Sequence, residues 1–372
     1  MSEQEPALPG VLHMDLERGW RGGQQQVAYL IENLNALGVR NHLACRDGGE
    51  LHARALREGW AVTPLRGLAD GLRRLPAVMR REGLGIAHAH AARAHNLGLL
   101  LRLRMGGLKL VVHRRVDFHR RRGLLSAWKY STRLVDCWIA ISQGVRAIME
   151  ADGVPAGRIA LVHSGVDTTR FGAAPAPEAL QGLRAELEAA GATPEGATLI
   201  GNIGALVPHK DQTTLLRAFA TLAGDFPNAH LHIAGEGELR PQLEALIATL
   251  GLAGRAHLLG HRDDLPTLAH LWHLYVMSSQ EEGLGTSVLD AMAAGLPVVV
   301  TDAGGLPEMV TPERNGLVTP RRDPAALGAA MARMLTDAAL REGCGANNLE
   351  DVQAFSAQET ARKTLAVYRA LL

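Results

Sequence analysis

Short β-branched runs alternate with longer amphipathic stretches along almost the whole chain, and the alternation breaks off once near the middle and then restarts. A parallel sheet demands this pattern, because each strand must be joined to the next by a crossover long enough to return to the same edge. In the first half, strands are expected at 10–16, 42–46, 61–65, 86–90, 108–114, 137–142 and 159–165, with helical segments such as 24–38 and 68–83 between them. The stretch 171–182, FGAAPAPEALQG, is rich in Ala, Pro and Gly and lacks periodicity, so a domain boundary is placed there. Strands follow at 197–204, 230–235, 255–260, 274–279, 297–302 and 316–320, and helices at 211–226, 238–251, 287–295 and 324–337. The expected fold class is α/β, with two doubly wound, Rossmann-like domains over 1–176 and 177–356. Such domains carry their strand C-termini to a shared central cleft, where ligands of doubly wound sheets bind.

The length of 372 residues accommodates two domains of about 100 to 200 residues each. Cys45, Cys137 and Cys344 are isolated, with no CxxC and no paired His spacing, which excludes a disulfide framework and fits a reducing cytosol. The opening MSEQEPALPG is acidic where a secretory signal is basic and then apolar, and no apolar run reaches about 18 residues, so neither export nor a membrane span is expected. The near-neutral total hides an asymmetry. Residues 1–180 carry 25 Lys/Arg against 16 Asp/Glu, whereas 181–372 carry 14 against 22. Either the first half meets an anionic partner or the two halves attract each other.

The most informative stretch runs from Glu281 to Glu308. A strand ends in carboxylates, a Gly-rich turn follows, and a helix begins near Thr286, whose free N–H groups and dipole suit a phosphate or diphosphate. Glu282 and Asp290 stand eight apart, about two helical turns, which lets them face one ligand together. Two carboxylates do not suit a phosphate, but they suit sugar hydroxyls on either side of one; singly, each is equally an ordinary surface acid. In the first half, Gly22 and Gly23 lie in the first strand-to-helix turn, and no GxGxxG follows strand one, which counts against a dinucleotide oxidoreductase. His88 and His90 alternate along one strand with a spacing that suits a metal, but no third ligand is evident nearby, so neither a metal nor another cofactor is expected.

Together these residues resemble the Glu-x7-Glu signature of retaining glycosyltransferases with two Rossmann-like domains, the GT-B fold, and in particular family 4. Further matches in the family's order are Gly19-Trp-Arg-Gly22-Gly23-Gln24, His88-Ala-His90, the strand end Val-Val-His113-Arg114 and His163-Ser-Gly165-Val-Asp167. Gly204-Ala-Leu-Val-Pro-His-Lys210-Asp211 and Ile233-Ala-Gly235-Glu-Gly237 complete them. The resemblance implies that Glu282 touches the transferred sugar, that Asp290 stands where the second acid binds the nucleotide ribose, and that Lys210 neutralises the diphosphate. The family usually has an Arg where this chain has Ala205, so a second cation has to come from elsewhere, with Arg21 and Arg240 as candidates. Leu284, Gly285 and Thr286 would complete the donor site with Gly22 and Gly23, and Arg262 lies in a loop resembling the one that cups the base. His113 matches a family histidine near sugar and acceptor, where a neutral imidazole orients a hydroxyl or assists proton transfer. The amphipathic segment 357–372 is expected to pack back on the first domain.

Arg114, Arg115, Arg120, Arg121, Arg122, Lys129 and Arg133 crowd a 20-residue window whose single acid is Asp117. With Trp128 and other apolar residues interleaved, the window suits an anionic lipid surface or a phosphorylated acceptor, or is merely a solvated basic loop. Nucleic acid is not expected, because the second half is acidic and aromatic residues are few. The expected activity is transfer of a sugar from a nucleotide-diphosphate-sugar to a glycan or lipid-linked acceptor, in cell-surface polysaccharide or lipopolysaccharide synthesis. The expected location is cytoplasmic, and peripheral at the inner face of the cytoplasmic membrane if the basic window docks there. The rival classes are a non-catalytic sugar-nucleotide or glycan-binding protein on the same fold, and a phosphorylase or sugar-nucleotide epimerase.

Overall fold

A computed structural model describes residues 8–117, 119 and 123–372. It separates into two compact units, one formed by the chain up to Val166 together with Ala357–Leu372, the other by Asp167–Ser356.

The first unit is built on β1 (Gly10–Asp15), β2 (Asn41–Arg46), β3 (Val62–Leu65), β4 (Leu84–Ala89), β5 (Lys109–Arg114), β6 (Cys137–Ala140) and β7 (Ile159–Leu161). Every pairing is parallel, in the order β3-β2-β1-β4-β5-β6-β7. All six residues of β1 are buried, as expected for a central strand covered on both faces. One face packs Val11, Ile86, Val111 and Ile139 against Leu30 and Leu34 of the helix Gly22–Ala36 and against Tyr368 of the helix Ala357–Arg369. The C-terminal segment therefore completes this core.

The second unit repeats the scheme with β8 (Thr198–Ile203), β9 (Ala229–Ala234), β10 (Ala256–Gly260), β11 (Leu274–Met277), β12 (Val298–Thr301) and β13 (Gly316–Thr319). Its order is β10-β9-β8-β11-β12-β13, again parallel. Ile200, Leu231, Ile233, Val276 and Val299 meet Leu215, Phe219 and Leu243 of the covering helices. In each unit the chain reverses its direction of winding once, between β1 and β4 and between β8 and β11. The loops leaving those strands diverge there and leave a crevice for a ligand.

The thirteen strands lie where the alternating pattern expects them. The boundary does not. Residues 171–182 are largely helical rather than a structureless linker, in Thr168–Gly172 and Pro177–Ala189, and the division falls ten residues earlier than 176/177, after Val166. Asp167 caps the first of these helices by accepting from the Thr169 and Arg170 N–H groups, and Phe171 is buried. Pro177 opens the second, which buries Leu183 and Leu187 one turn apart. The Ala, Pro and Gly content masked both helix starts. Among the described residues, no helix is long and apolar enough to cross a membrane.

Candidate functional site

In the second unit, the loops after β8 and β11 form the switch-point site. After β8 the chain makes a short 3-10 turn, Pro208–Lys210, and Asp211 adopts φ 48° to cap the next helix, accepting from the Thr214 N–H. Gln280 donates to the same Asp211 carboxylate at 2.8 Å, which ties the β8 loop to the β11 loop. Lys210 Nζ is thereby brought onto Glu282 Oε2 as an ion pair, and Ser279 Oγ donates to the same oxygen at 3.3 Å. Both side chains are mostly buried, with 18% and 14% exposure, so the pair is shielded from solvent on most sides. The Glu282 backbone is clamped in turn: Gly305 N–H donates to its carbonyl at 3.1 Å. Gly304, at φ 51°, approaches so closely that a Cβ there would lie 1.7 Å from that oxygen.

The helix Thr286–Ala293 follows directly, with Gly285 at φ 91° as its N-cap, no side-chain cap and no acid in its first turn. Its first N–H groups are thus left without a side-chain acceptor, the condition for an anion site. Glu282 lies ahead of this helix rather than on it, so the eightfold spacing to Asp290 is not two helical turns. The αL kink at Gly285 reorients the chain between them. Asp290 sits near the C-terminal end of the helix, where burial pushes its carboxyl up to about 7, partly offset by Arg170. Tyr275, missed by the sequence reading, donates from its buried hydroxyl to Ser287 Oγ at 2.9 Å and braces the first turn of the helix.

In the first unit, the switch point collects histidines. His13 of β1 lies beside His88 of β4 and His90 of the following loop, and His113, next to last in β5, has its ring stacked at 5.4 Å on that of His88. His13, His88 and His90 each bring a ring nitrogen to within 4.8 Å of the others, so a third imidazole does stand beside the His88-His90 pair, contrary to expectation. Sequence separation hid it: His13 is 77 residues away.

The hydrogen bonds fix what this cluster holds. Asn41 donates from Nδ2 to the Val39 carbonyl, so its Oδ1 accepts from His13 Nε2 at 3.0 Å. Burial holds His13 near pKa 4 and drives His88, His90 and His113 well below the usual range, so all four are neutral. His13 Nδ1 must then accept from His90 Nε2 at 3.0 Å, which leaves His90 Nδ1 to accept from Arg115 Nη2 at 3.1 Å. The same Arg115 nitrogen donates to His113 Nδ1 at 3.2 Å. In this arrangement the His90 Nε2 proton occupies the direction a cation would need. His113 is the Nε2–H tautomer, so toward a ligand it is a donor and not a base. His88 Nδ1 contacts the Tyr368 hydroxyl at 2.6 Å.

The other expected residues fall out as follows. Leu284 and Gly285 are buried beneath the start of the helix that Thr286 opens. Gly22 and Gly23 open the helix Gly22–Ala36, and a Cβ on either would meet nothing within 4 Å, so the fold itself does not require glycine there. Of the two candidates for the second phosphate cation, Arg240 is engaged by Glu236 and Glu244 and Arg21 is exposed ahead of the helix Gly22–Ala36; Arg262, in the loop expected to cup the base, is engaged by Asp264 and Glu186. Arg114 is buried against Asp152 and Tyr130, and Arg115 is turned onto the imidazoles, so neither presents its charge to a membrane surface. Trp128 is exposed. Arg120, Arg121 and Arg122 lie outside the described residues.

Comparison with known proteins gives a consistent result. Residues 20–170 match the Glycosyltransferase Family 4 profile and residues 184–351 match that of Glycosyl transferases group 1. A D-inositol 3-phosphate glycosyltransferase of Corynebacterium urealyticum is 31% identical over 58% of this chain and 51% of its own length. The lipopolysaccharide core biosynthesis glycosyltransferase LpsE of Rhizobium meliloti is 33% identical over 40% of this chain and 43% of its own. The chain thus spans about half the length of these curated relatives. The crystal structure of Anabaena HepE in complex with UDP superposes with a TM-score of 0.83 at 19% identity, over 97% of this chain and 100% of that one, a likeness of fold.

Proposed function

We propose that this chain, which belongs to family 4 of the GT-B glycosyltransferases, moves a sugar from a nucleoside-diphosphate-sugar donor to a glycan or lipid-linked acceptor. The observation that carries the reading is the second unit's switch point, where Lys210, Glu282 and the uncapped start of the helix Thr286–Ala293 come together. A cation and a helix N-terminus suit the diphosphate; a carboxylate beside them suits sugar hydroxyls. In the free protein Lys210 and Glu282 satisfy each other, and donor binding exchanges that pair for contacts to phosphate and sugar. Asp290 takes the ribose, and the fold's indifference to a side chain at Gly22 and Gly23 is accounted for by close approach of a ligand to that turn.

The transfer we assign retains the anomeric configuration by front-face displacement. The bond from the anomeric carbon to the diphosphate oxygen breaks and its electron pair goes to the leaving diphosphate. The acceptor oxygen bonds to the same face, and its proton passes to the departing phosphate oxygen. Lys210 and the helix start stabilise the growing charge and Glu282 holds the sugar, so the rate comes from positioning and fixed charge. His113, as an Nε2–H donor, orients a ligand oxygen and takes no proton. The name of the Rhizobium relative supports cell-surface glycan synthesis as the pathway.

The test is thermal stability against UDP, GDP, ADP and CMP, followed by hydrolysis of the matching sugar donors. One nucleotide at a hundredfold excess over its Kd adds about 2.7 kcal/mol. Lys210→Ala is expected to abolish that shift, and Glu282→Ala to remove turnover with nucleotide binding largely kept. No shift with any nucleotide and no donor hydrolysis overturns the transferase reading in favour of a glycan-binding protein.

A further inference from the structure

Beside the imidazole cluster, the first unit holds a cavity of about 350 Å³ whose lining includes Arg114, Arg115, His113, Tyr130 and Trp138. Among the described residues, none that lines it is acidic. Gly23, at the start of the helix Gly22–Ala36, also lines it, and that helix has no acid in its first turn.

The cations here are not balanced alike. Arg114 is compensated by Asp152 at 3.5 Å. Arg115 has no such contact: its guanidinium donates to the His90 carbonyl at 3.4 Å and to the neutral rings of His90 and His113, its Nε–H is buried with no partner among the described residues, and the buried Asp15 acts on it only through space, from beyond 4 Å. Lys129 donates to the carbonyl of Ala92, a lining residue, at 3.1 Å. Among the described residues, neither Arg115 nor Lys129 has a carboxylate within 4 Å. Burial pulls Arg115 down to about 10, and burial together with Arg114 pulls Lys129 down to about 8. His113 adds a donor, since its Nε2–H is also buried without a partner.

Cations in a partly buried site whose direct contacts are all neutral acceptors are costly unless an anion joins them. The tautomer chain from Asn41 through His13 and His90 makes those acceptors permanent, so it keeps Arg115 protonated and in place without supplying a counter-charge. We infer that this cavity binds a phosphoryl group carried by the acceptor, held by Arg115, Lys129 and the His113 Nε2–H, with the acceptor's body against Tyr130 and Trp138. The inference rests on the transferase reading for the word acceptor; the phosphoryl site itself stands on the cavity. A soluble sugar phosphate and a phosphate-bearing lipid headgroup present the same chemistry.

The experiment is calorimetric titration of glucose 1-phosphate into the full chain saturated with UDP, beside flotation with phosphatidylcholine vesicles containing phosphatidic acid. Binding of either probe is expected, weakened about tenfold or more by Arg115→Gln and by Lys129→Gln. Lys129 is the safer of the two for folding, since among the described residues its one hydrogen bond is to the Ala92 carbonyl. Titration with glucose 1-phosphate identifies a soluble acceptor, and flotation without it identifies the headgroup. Binding that both variants leave unchanged overturns the inference, as does loss of binding in the presence of UDP, which would assign the site to the donor. Absence of both probes' binding overturns it too, while UDP stabilisation sensitive to Lys210→Ala would leave the transferase reading standing.

Discussion

Replacing Asp290 by Asn separates the electrostatic cost of this residue from its shape. Asp290 has its carboxyl raised from 3.8 to about 7 because burial outweighs the attraction of Arg170. A raised acid means that the folded chain binds a proton the unfolded chain has released between those two values, so stability falls as pH rises through the window. Three pH units correspond to about 4 kcal/mol at 1.36 kcal/mol per unit. Since part of the residue reaches solvent, about half of that, ~2 kcal/mol, is the working figure. Asn keeps the shape and never ionises. Urea unfolding of both proteins from pH 4 to 8.5 should therefore show Asp290→Asn gaining on the wild type as pH rises from about 4, by ~2 kcal/mol in all, and keeping that lead above pH 7. A difference that stays flat across this range, or that favours the wild type as pH rises, would refute the burial argument.

Three further outcomes follow from the same geometry. With His13 held near 4, the unfolded state binds more protons at this site between pH 4 and 6.5, so its contribution to stability is lost on acidification through that interval, by about 3 kcal/mol. An acid limb without that loss, read by the same urea titration, would contradict it. Gly304→Ala drives a Cβ into the Glu282 carbonyl, so it is expected to cost on the order of 3 kcal/mol and to abolish nucleotide-dependent stabilisation, seen by thermal melts with and without UDP. Tyr368→Phe removes the hydroxyl on His88 and is expected to cost about 1 to 2 kcal/mol, with the UDP-dependent shift unchanged because Lys210, Glu282 and the helix Thr286–Ala293, to which the proposal assigns the diphosphate and sugar, lie in the other unit.

What the sequence determined by itself is local in origin. Strand positions were legible because a strand buried on both faces must be a short apolar run, and because each run here is closed by a polar or glycine turn. Glu282, Gly285 and the helix start near Thr286 were legible together because they are near neighbours in one strand-to-helix turn, whereas Lys210 was singled out only by the family resemblance. The domain boundary was misplaced by ten residues, since capping by Asp167 and the buried Leu183 and Leu187 weigh more than an Ala-Pro-Gly composition.

Pairings between distant segments belonged to the tertiary structure. The Lys210–Glu282 ion pair joins residues 72 apart, the His13–His90 bond residues 77 apart, and the His88–Tyr368 contact residues 280 apart. No local pattern encodes which side chains a strand order places side by side at a switch point. The protonation of His113 was likewise undecidable from its type and position in β5. It depends on Arg115, whose guanidinium only donates and so leaves His113 Nδ1 to accept, and on the burial that makes the imidazole neutral. Arg115 changed meaning for the same reason. In the sequence it was one cation in a basic run, and in the fold it became a buried charge facing acceptors that cannot neutralise it.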